Sequence, residues 1–180
     1  MVYCFLADGF EELEAIAPID ILRRAGIEVV TVGVTGETVT GSHGIKVTPD
    51  CGIDSLLLDD SLEAVILPGG LPGAVNLENN SKVQQAIDFS VQKEKLVCAI
   101  CAAPQILGHK GILKGRQAIA YPGFESELTG AVISEKFVVC DGNFITAKGA
   151  GVAVDFGLKI VATLKDRQTA DSIKASIQCK

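Results

Sequence analysis

The chain has 180 residues, 48% of them hydrophobic and 21% charged, with a net charge of −6 at pH 7 and a pI near 4.9. That length and hydrophobic content suit one folded domain with a substantial core and exclude a disordered chain. The acidic balance and the lack of a basic stripe argue against nucleic-acid binding, and no apolar run approaches the roughly 18 residues that span a bilayer.

Residues 2–7 read as a short buried strand that Asp8-Gly9 ends. Acidic residues follow and no basic segment precedes it, so it reads as a first strand and not a secretion signal. The six cysteines are accordingly expected to be reduced thiols in a cytoplasm. Residues 11–25 carry Leu13, Ile16, Ile19 and Leu22 at helical spacing. Acidic residues fill the first turn, Arg23 and Arg24 the last, and Gly26 stops the helix. Pro18 inside this run is expected to bend the helix or to end a first short segment. A valine-rich strand at 28–34 completes a strand–helix–strand unit, the pattern of a right-handed crossover in a parallel sheet.

Residues 38–40 and 45–48 read as a hairpin around Gly41-Ser42-His43-Gly44. A buried strand at 64–67 runs into Pro68-Gly69-Gly70-Leu71-Pro72-Gly73. Residues 81–93 predict a helix with Val83, Ala86, Ile87 and Val91 inward and Ser81 as its cap. Residues 95–105, KLVCAICAAPQ, put an apolar strand before Cys101 and a helix start after it, with Pro104 in the first turn, where its missing N–H is tolerated. Beyond lie a short strand at 117–121, a helical turn at 124–128 and a hairpin of 137–140 with 143–146 across Asp141-Gly142. An apolar helix at 152–164 and a more polar one at 166–177 end the chain. The alternation specifies a single domain over residues 1–180: a flavodoxin-like three-layer α/β/α sandwich around a mostly parallel sheet, with a small β-hairpin excursion.

Ligands of such sheets bind beyond the carboxyl ends of the strands. Three features directly follow predicted strands: the cluster Glu11, Glu12 and Glu14, the pair Gly69-Gly70, and Cys101. A glycine pair lets backbone N–H groups approach a ligand closely, as an oxyanion hole requires. A cysteine at a helix N-terminus is favoured as a thiolate. A carboxyl beside it is compatible with that if burial raises its pKa, so that it stays protonated and donates to sulfur. Helical direction does not choose among the three glutamates, and each taken alone reads as a solvated first-turn residue. Cys98 and Cys101 have redox-motif spacing, but residues three apart on a strand point to opposite faces, which argues against a dithiol pair. The two histidines, His43 and His109, do not lie at ligand spacing with a cysteine pair, so no metal is expected. No phosphate loop or dinucleotide fingerprint occurs. His109 reads as a structural residue in a helix C-terminal turn.

With these residues in place the chain resembles the DJ-one/ThiJ/PfpI superfamily, in the branch of the parkinsonism-associated deglycase and its bacterial relatives. The resemblance is carried by DGFEELE at 8–14, PIDILRRAG at 18–26, LPGG at 67–70, AICAAP at 99–104, KGAG at 148–151 and DFG at 155–157. It implies that Cys101 is a nucleophilic, oxidation-sensitive elbow cysteine with Glu14 as its carboxyl partner. By the same resemblance Gly69, Gly70 and Ala102 supply the backbone around the sulfur, and Arg24 and His43 fall where relatives bind anions. His43 replaces the arginine of the human relative. Ala102 stands where the protease-like branch has histidine, which argues against a peptidase, and Tyr121 stands where the human relative has histidine. The resemblance implies a homodimer without a cofactor, acting on a small carbonyl substrate. The leading expectation is conversion of reactive dicarbonyls to hydroxy acids. The alternatives are a redox sensor in which Cys101 becomes a sulfinate, and a chaperone-like dimer without turnover.

Overall fold

The computed structural model describes residues 1–179. In chain order the elements are β1 (Val2–Leu6), α1 (Glu12–Arg24), β2 (Val29–Gly33), β3 (Val39–Thr40), β4 (Lys46–Val47), β5 (Cys51–Gly52), β6 (Ala64–Leu67), α2 (Gly73–Glu78) and α3 (Ser81–Gln92). Then come β7 (Leu96–Ile100), α4 (Pro104–His109), β8 (Gln117–Ala118), β9 (Val132–Ile133), β10 (Val138–Asp141), β11 (Phe144–Ala147), α5 (Ala153–Leu164) and α6 (Arg167–Ser176). The central sheet has the order β10-β11-β7-β6-β1-β2-β5. Every pairing in it is parallel except β10 with β11, which is the expected hairpin across Asp141-Gly142. The β3–β4 hairpin forms the expected excursion as a separate antiparallel pair.

Strands buried on both faces explain the continuous apolar runs. Val2, Cys4 and Leu6 of β1 face the layer of α1 and α5, while Tyr3 and Phe5 face the layer of α3 and α4. The same alternation sends Cys98 and Ile100 of β7 to the first layer and Val97 and Ala99 to the second. The chain is thus a flavodoxin-like α/β/α sandwich, as the alternation of strands and helices specifies.

Several local expectations change. α1 runs unbroken through Pro18. α5 packs against it there through Gly157, where an added Cβ would lie 2.9 Å from Pro18 Cα. Of the four residues at helical spacing, Ile19 and Leu22 are buried but Leu13 and Ile16 are exposed. The inward face of the first turn is instead Glu14 and Ala15. α3 is capped by Asn80, whose side chain accepts from the N–H groups of Lys82 and Val83, and not by Ser81. Val91 is only partly buried. The strand expected at 117–121 is the two-residue β8, paired with β9. α2, β5 and β9 are additions with no counterpart in the sequence reading.

Candidate active site

The carboxyl ends of β1, β6 and β7 lie side by side, since β6 pairs with both β1 and β7. The three features that follow these strands therefore converge at one edge. Cys101 leaves β7 with φ of +64°, a left-handed conformation in which a residue bearing a Cβ is strained. Two hydrogen bonds hold the bend: Cys101 N–H donates to Ala147 C=O at 2.9 Å, and Tyr121 N–H donates to Cys101 C=O at 2.8 Å. β11 and the loop after β8 thus fix the elbow from both sides.

The first turn of α1 separates the three glutamates. Glu11 is the N-cap, and its Oε2 accepts from the Glu14 N–H at 2.8 Å. Glu12 is buried under the β3–β4 hairpin. Its carboxylate accepts from His43 N–H at 2.8 Å, meets His43 Nδ1 at 2.9 Å and takes a bond from the Ser42 hydroxyl. Although burial pushes Glu12 up, these bonds prevail and hold its pKa at about 2. Glu14 has no exposed surface, and Gly69 N–H donates to its Oε2 at 2.9 Å. Two of the three are therefore buried, against the expectation that each is solvated.

Glu14 and Cys101 meet across Gly69, where an added Cβ would lie 2.6 Å from both Cys101 Cβ and Glu14 Oε2, so each acts on the other's ionisation. Burial is the main cause that pushes the Glu14 carboxyl up, to about 7, and the Glu11 charge adds to it. Burial and the Glu14 charge push the Cys101 thiol up to about 12, against the N–H groups of Gly70 and Ala102, which pull it down. The expectation of a thiolate favoured by a helix N-terminus thus meets a stronger opposing effect: the sulfur is half-buried and its neighbour is an acid. Coupled groups of this kind titrate as a pair. Above pH 7 the pair holds one proton, either as thiol with carboxylate or as thiolate with carboxylic acid. Oε1 of Glu14 is buried with no hydrogen-bond partner. Such an atom is better tolerated in a carboxylic acid than in a carboxylate.

The structure brings Cys101, Glu14, Gly69, Gly70, Ala102 and Tyr121 together, Tyr121 through its backbone and with its side chain half-exposed. It does not bring Arg24 there. Arg24 ends α1, ten residues past Glu14 or about 15 Å along the axis, and pairs with Asp20 at 2.7 Å. His43 stands on the exposed hairpin and bonds Glu12, not Cys101 or Glu14. Cys98 is fully buried and both it and Cys101 are free thiols. The opposite-face argument is corrected in one respect: once past the strand, Cys101 packs against the same side-chain layer as Cys98. Ligand atoms of Glu11, Glu12 and His43 lie within 4.8 Å of one another, donors a metal could use, but the Glu12 oxygens already serve the hairpin. His109 is wedged between Glu78 at 2.5 Å and Glu127 at 2.9 Å, a clamp its sequence position did not announce.

A family model described as the DJ-1/PfpI family matches residues 1–163. The chain is 36% identical over 171 residues to the protein dj-1beta of Drosophila melanogaster, covering 93% of this chain and 91% of that one. It is 35% identical over 179 residues to the Parkinson disease protein 7 homolog of Danio rerio, covering 97% and 95%. Among solved structures, oxidized Toxoplasma gondii DJ-1 superposes with a TM-score of 0.94 at 32% identity, covering 99% and 97% of the two chains. A cysteine-to-alanine mutant of a DJ-1 superfamily protein from Salmonella typhimurium superposes with a TM-score of 0.91 at 34% identity, covering 99% and 98%.

Proposed function

The chain belongs to the DJ-1/PfpI family, and on that footing we propose that it is a cysteine-dependent enzyme, needing no cofactor, that converts reactive dicarbonyls such as methylglyoxal to hydroxy acids. The observation that carries this reading is the close Glu14–Cys101 pair across Gly69 with its raised carboxyl, set on a strained elbow beside the Gly70 and Ala102 N–H groups. As the sulfur attacks the aldehyde carbon, Glu14 takes the thiol proton and hands it to the carbonyl oxygen, which becomes the hemithioacetal hydroxyl. The Gly70 and Ala102 N–H groups steady the developing oxyanion. Glu14 then moves a proton from the former aldehyde carbon to the neighbouring ketone carbon, leaving a thioester and an alcohol. Water hydrolyses the thioester, restores the thiol and releases lactate. One carbon is oxidised and its neighbour reduced, so the balance needs only water. Ala102, where the protease-like pattern has histidine, supports a reading without peptidase activity.

The test is methylglyoxal loss by the wild type, Cys101→Ser and Glu14→Gln. Turnover is expected from the wild type alone; a wild type no faster than a simple thiol removes the enzyme reading.

A second reading has its own observation. Cys101 is partly exposed beside a carboxyl able to donate to oxygen, whereas Cys4 and Cys98 are fully buried. This suits oxidation of Cys101 to a sulfinate, a role in oxidative-stress protection. Mild peroxide followed by peptide mass analysis tests it: oxidation spread evenly over Cys51, Cys101, Cys140 and Cys179 would count against a poised Cys101. For either reading we take the working form to be a homodimer. Leu13 and Ile16 of α1 and Ile45 of the hairpin are large apolar side chains left exposed, Leu13 and Ile45 around one depression, a surface suited to a second copy of itself. Among the described residues no helix is long and apolar enough to cross a membrane.

A further inference from the structure

Beside the elbow lies a cavity of about 300 Å³ walled by Tyr121, Phe137, Lys148, Gly149, Ala150 and Val152. Its wall at Gly149 adjoins the Glu14 carboxyl. A Cβ added to Gly149 would lie 3.9 Å from Glu14 Oε1 and 3.2 Å from the Tyr121 ring. Tyr121 is also the residue whose N–H holds the Cys101 carbonyl. At roughly 30 Å³ per heavy atom, the share a water molecule takes, methylglyoxal's five heavy atoms fill at most about half of this space. The remainder has mixed chemistry: Phe137 and Val152 are apolar, and Lys148 brings a cation. Lys148 Nζ lies 5.1 Å from the centroid of the Phe137 ring. Among the described residues no carboxylate stands within ion-pair distance of it, so its charge is left to the Phe137 ring and the cavity.

An unpaired ammonium, braced on an aromatic ring in the wall of a cavity whose Gly149 edge adjoins the Glu14 carboxyl, is suited to the anionic end of a bound molecule. We propose that this cavity is the subsite for the substrate's tail, and that Lys148 selects 2-oxoaldehydes carrying a carboxylate two or three carbons from the reacting carbonyls. This rests on the dicarbonyl reading above and names its substrate class. For the probe 4,5-dioxopentanoate, the aldehyde would meet Cys101 while the methylene groups lie along Phe137 and Val152 and the carboxylate faces Lys148. Addition of one water gives 2-hydroxyglutarate. The aldehyde carbon is oxidised, the ketone carbon is reduced, and no other reactant is needed.

The experiment compares kcat/KM for 4,5-dioxopentanoate with that for its neutral methyl ester in the wild type, Lys148→Met and Lys148→Arg. Taking the ratio within each variant cancels any general loss of activity. The wild type is expected to favour the acid by roughly tenfold, the effect of one charge-assisted contact. Lys148→Met should bring the ratio near one and Lys148→Arg should restore it. A wild-type ratio near one, or one unchanged in Lys148→Met, overturns the proposal. If the wild type turns over neither methylglyoxal nor dioxopentanoate, the dicarbonyl reading fails and the subsite is decided by binding. Glutarate should then slow iodoacetamide alkylation of Cys101 in the wild type but not in Lys148→Met. Equal protection in both, or none in either, overturns the subsite.

Discussion

Gly69 holds Glu14 by a 2.9 Å hydrogen bond from its N–H to Oε2, and its own Cα sits where no side chain fits. A Cβ there would lie 2.6 Å from both Cys101 Cβ and Glu14 Oε2. The glycine is thus the spacer that sets how closely acid and sulfur approach, a tighter role than the backbone donor that its place in LPGG suggests.

Gly69→Ala is therefore expected to push the pair apart. A displacement of that order costs about 100-fold in rate when two groups must meet, and overpacking adds roughly 1–3 kcal/mol of destabilisation. Methylglyoxal turnover with parallel urea unfolding checks both. Wild-type turnover in a folded Gly69→Ala would show that the close approach is not required.

Glu14 makes stability depend on pH with a definite sign. Its folded pKa, about 7, lies above the ordinary 4.5. Between these values the unfolded chain has lost the proton that the folded chain keeps, so stability falls as pH rises through this window. The full loss, reached above pH 7, is roughly 3 kcal/mol at about 1.4 kcal/mol per unit. Glu14→Gln removes the titration while keeping an acceptor for the Gly69 N–H. Its stability relative to wild type should therefore improve from pH 4.5 to pH 8, as read by urea unfolding at both. A constant difference would refute the raised carboxyl.

Cys101 stores strain in its φ of +64°. Cys101→Ala keeps the Cβ and the strain, whereas Cys101→Gly removes both. In most settings glycine is the less stable of the two by its greater unfolded-state entropy. Here Cys101→Gly should be the more stable by about 1 kcal/mol, within the range for a left-handed non-glycine residue. Thermal unfolding of the two variants decides it, and the usual order would mean that the bend is not strained.

The sheet was legible because strands buried on both faces spell themselves out as uninterrupted apolar runs: 64–67 was bounded correctly from AVIL alone. The elbow was legible for a related reason, since an apolar run of that length ending in Cys101 with Pro104 beyond reads as a strand turning into a helix; periodicity alone leaves a helix open for the run, and the structure makes it β7. The partner of Cys101 was not legible from composition. Glu11, Glu12 and Glu14 are chemically alike, and their separate fates depend on what β6 and the hairpin place over each, contacts across 55 and 31 residues of sequence. Only the resemblance singled out Glu14. Leu13 and Ile16 misled because an exposed apolar residue at helical spacing looks the same in sequence as a core residue. Arg24 failed as a site residue within this chain for a geometric reason: a helix starting at the site carries its last turn away from it.

His109 ties together elements that follow the site loops. Its Nδ1 meets Glu78 at the end of α2 and its Nε2 meets Glu127 in the turn after Tyr121, while His109 itself ends the helix that begins after Cys101. Bonds to Glu127 and Glu78 raise its pKa above 6.5, outweighing a small opposing effect of burial. A raised histidine stabilises fully below the unfolded value, and that contribution is lost as pH rises through the folded value. Replacing His109 with Asn should lower Tm most at pH 6, with the gap from wild type narrowing toward pH 9. Backbone exchange of α4 should quicken in the same order, because the clamp is its tie to α2 and to the 125–127 turn. A Tm gap that stays constant with pH would mean that the imidazole packs there without its charge mattering.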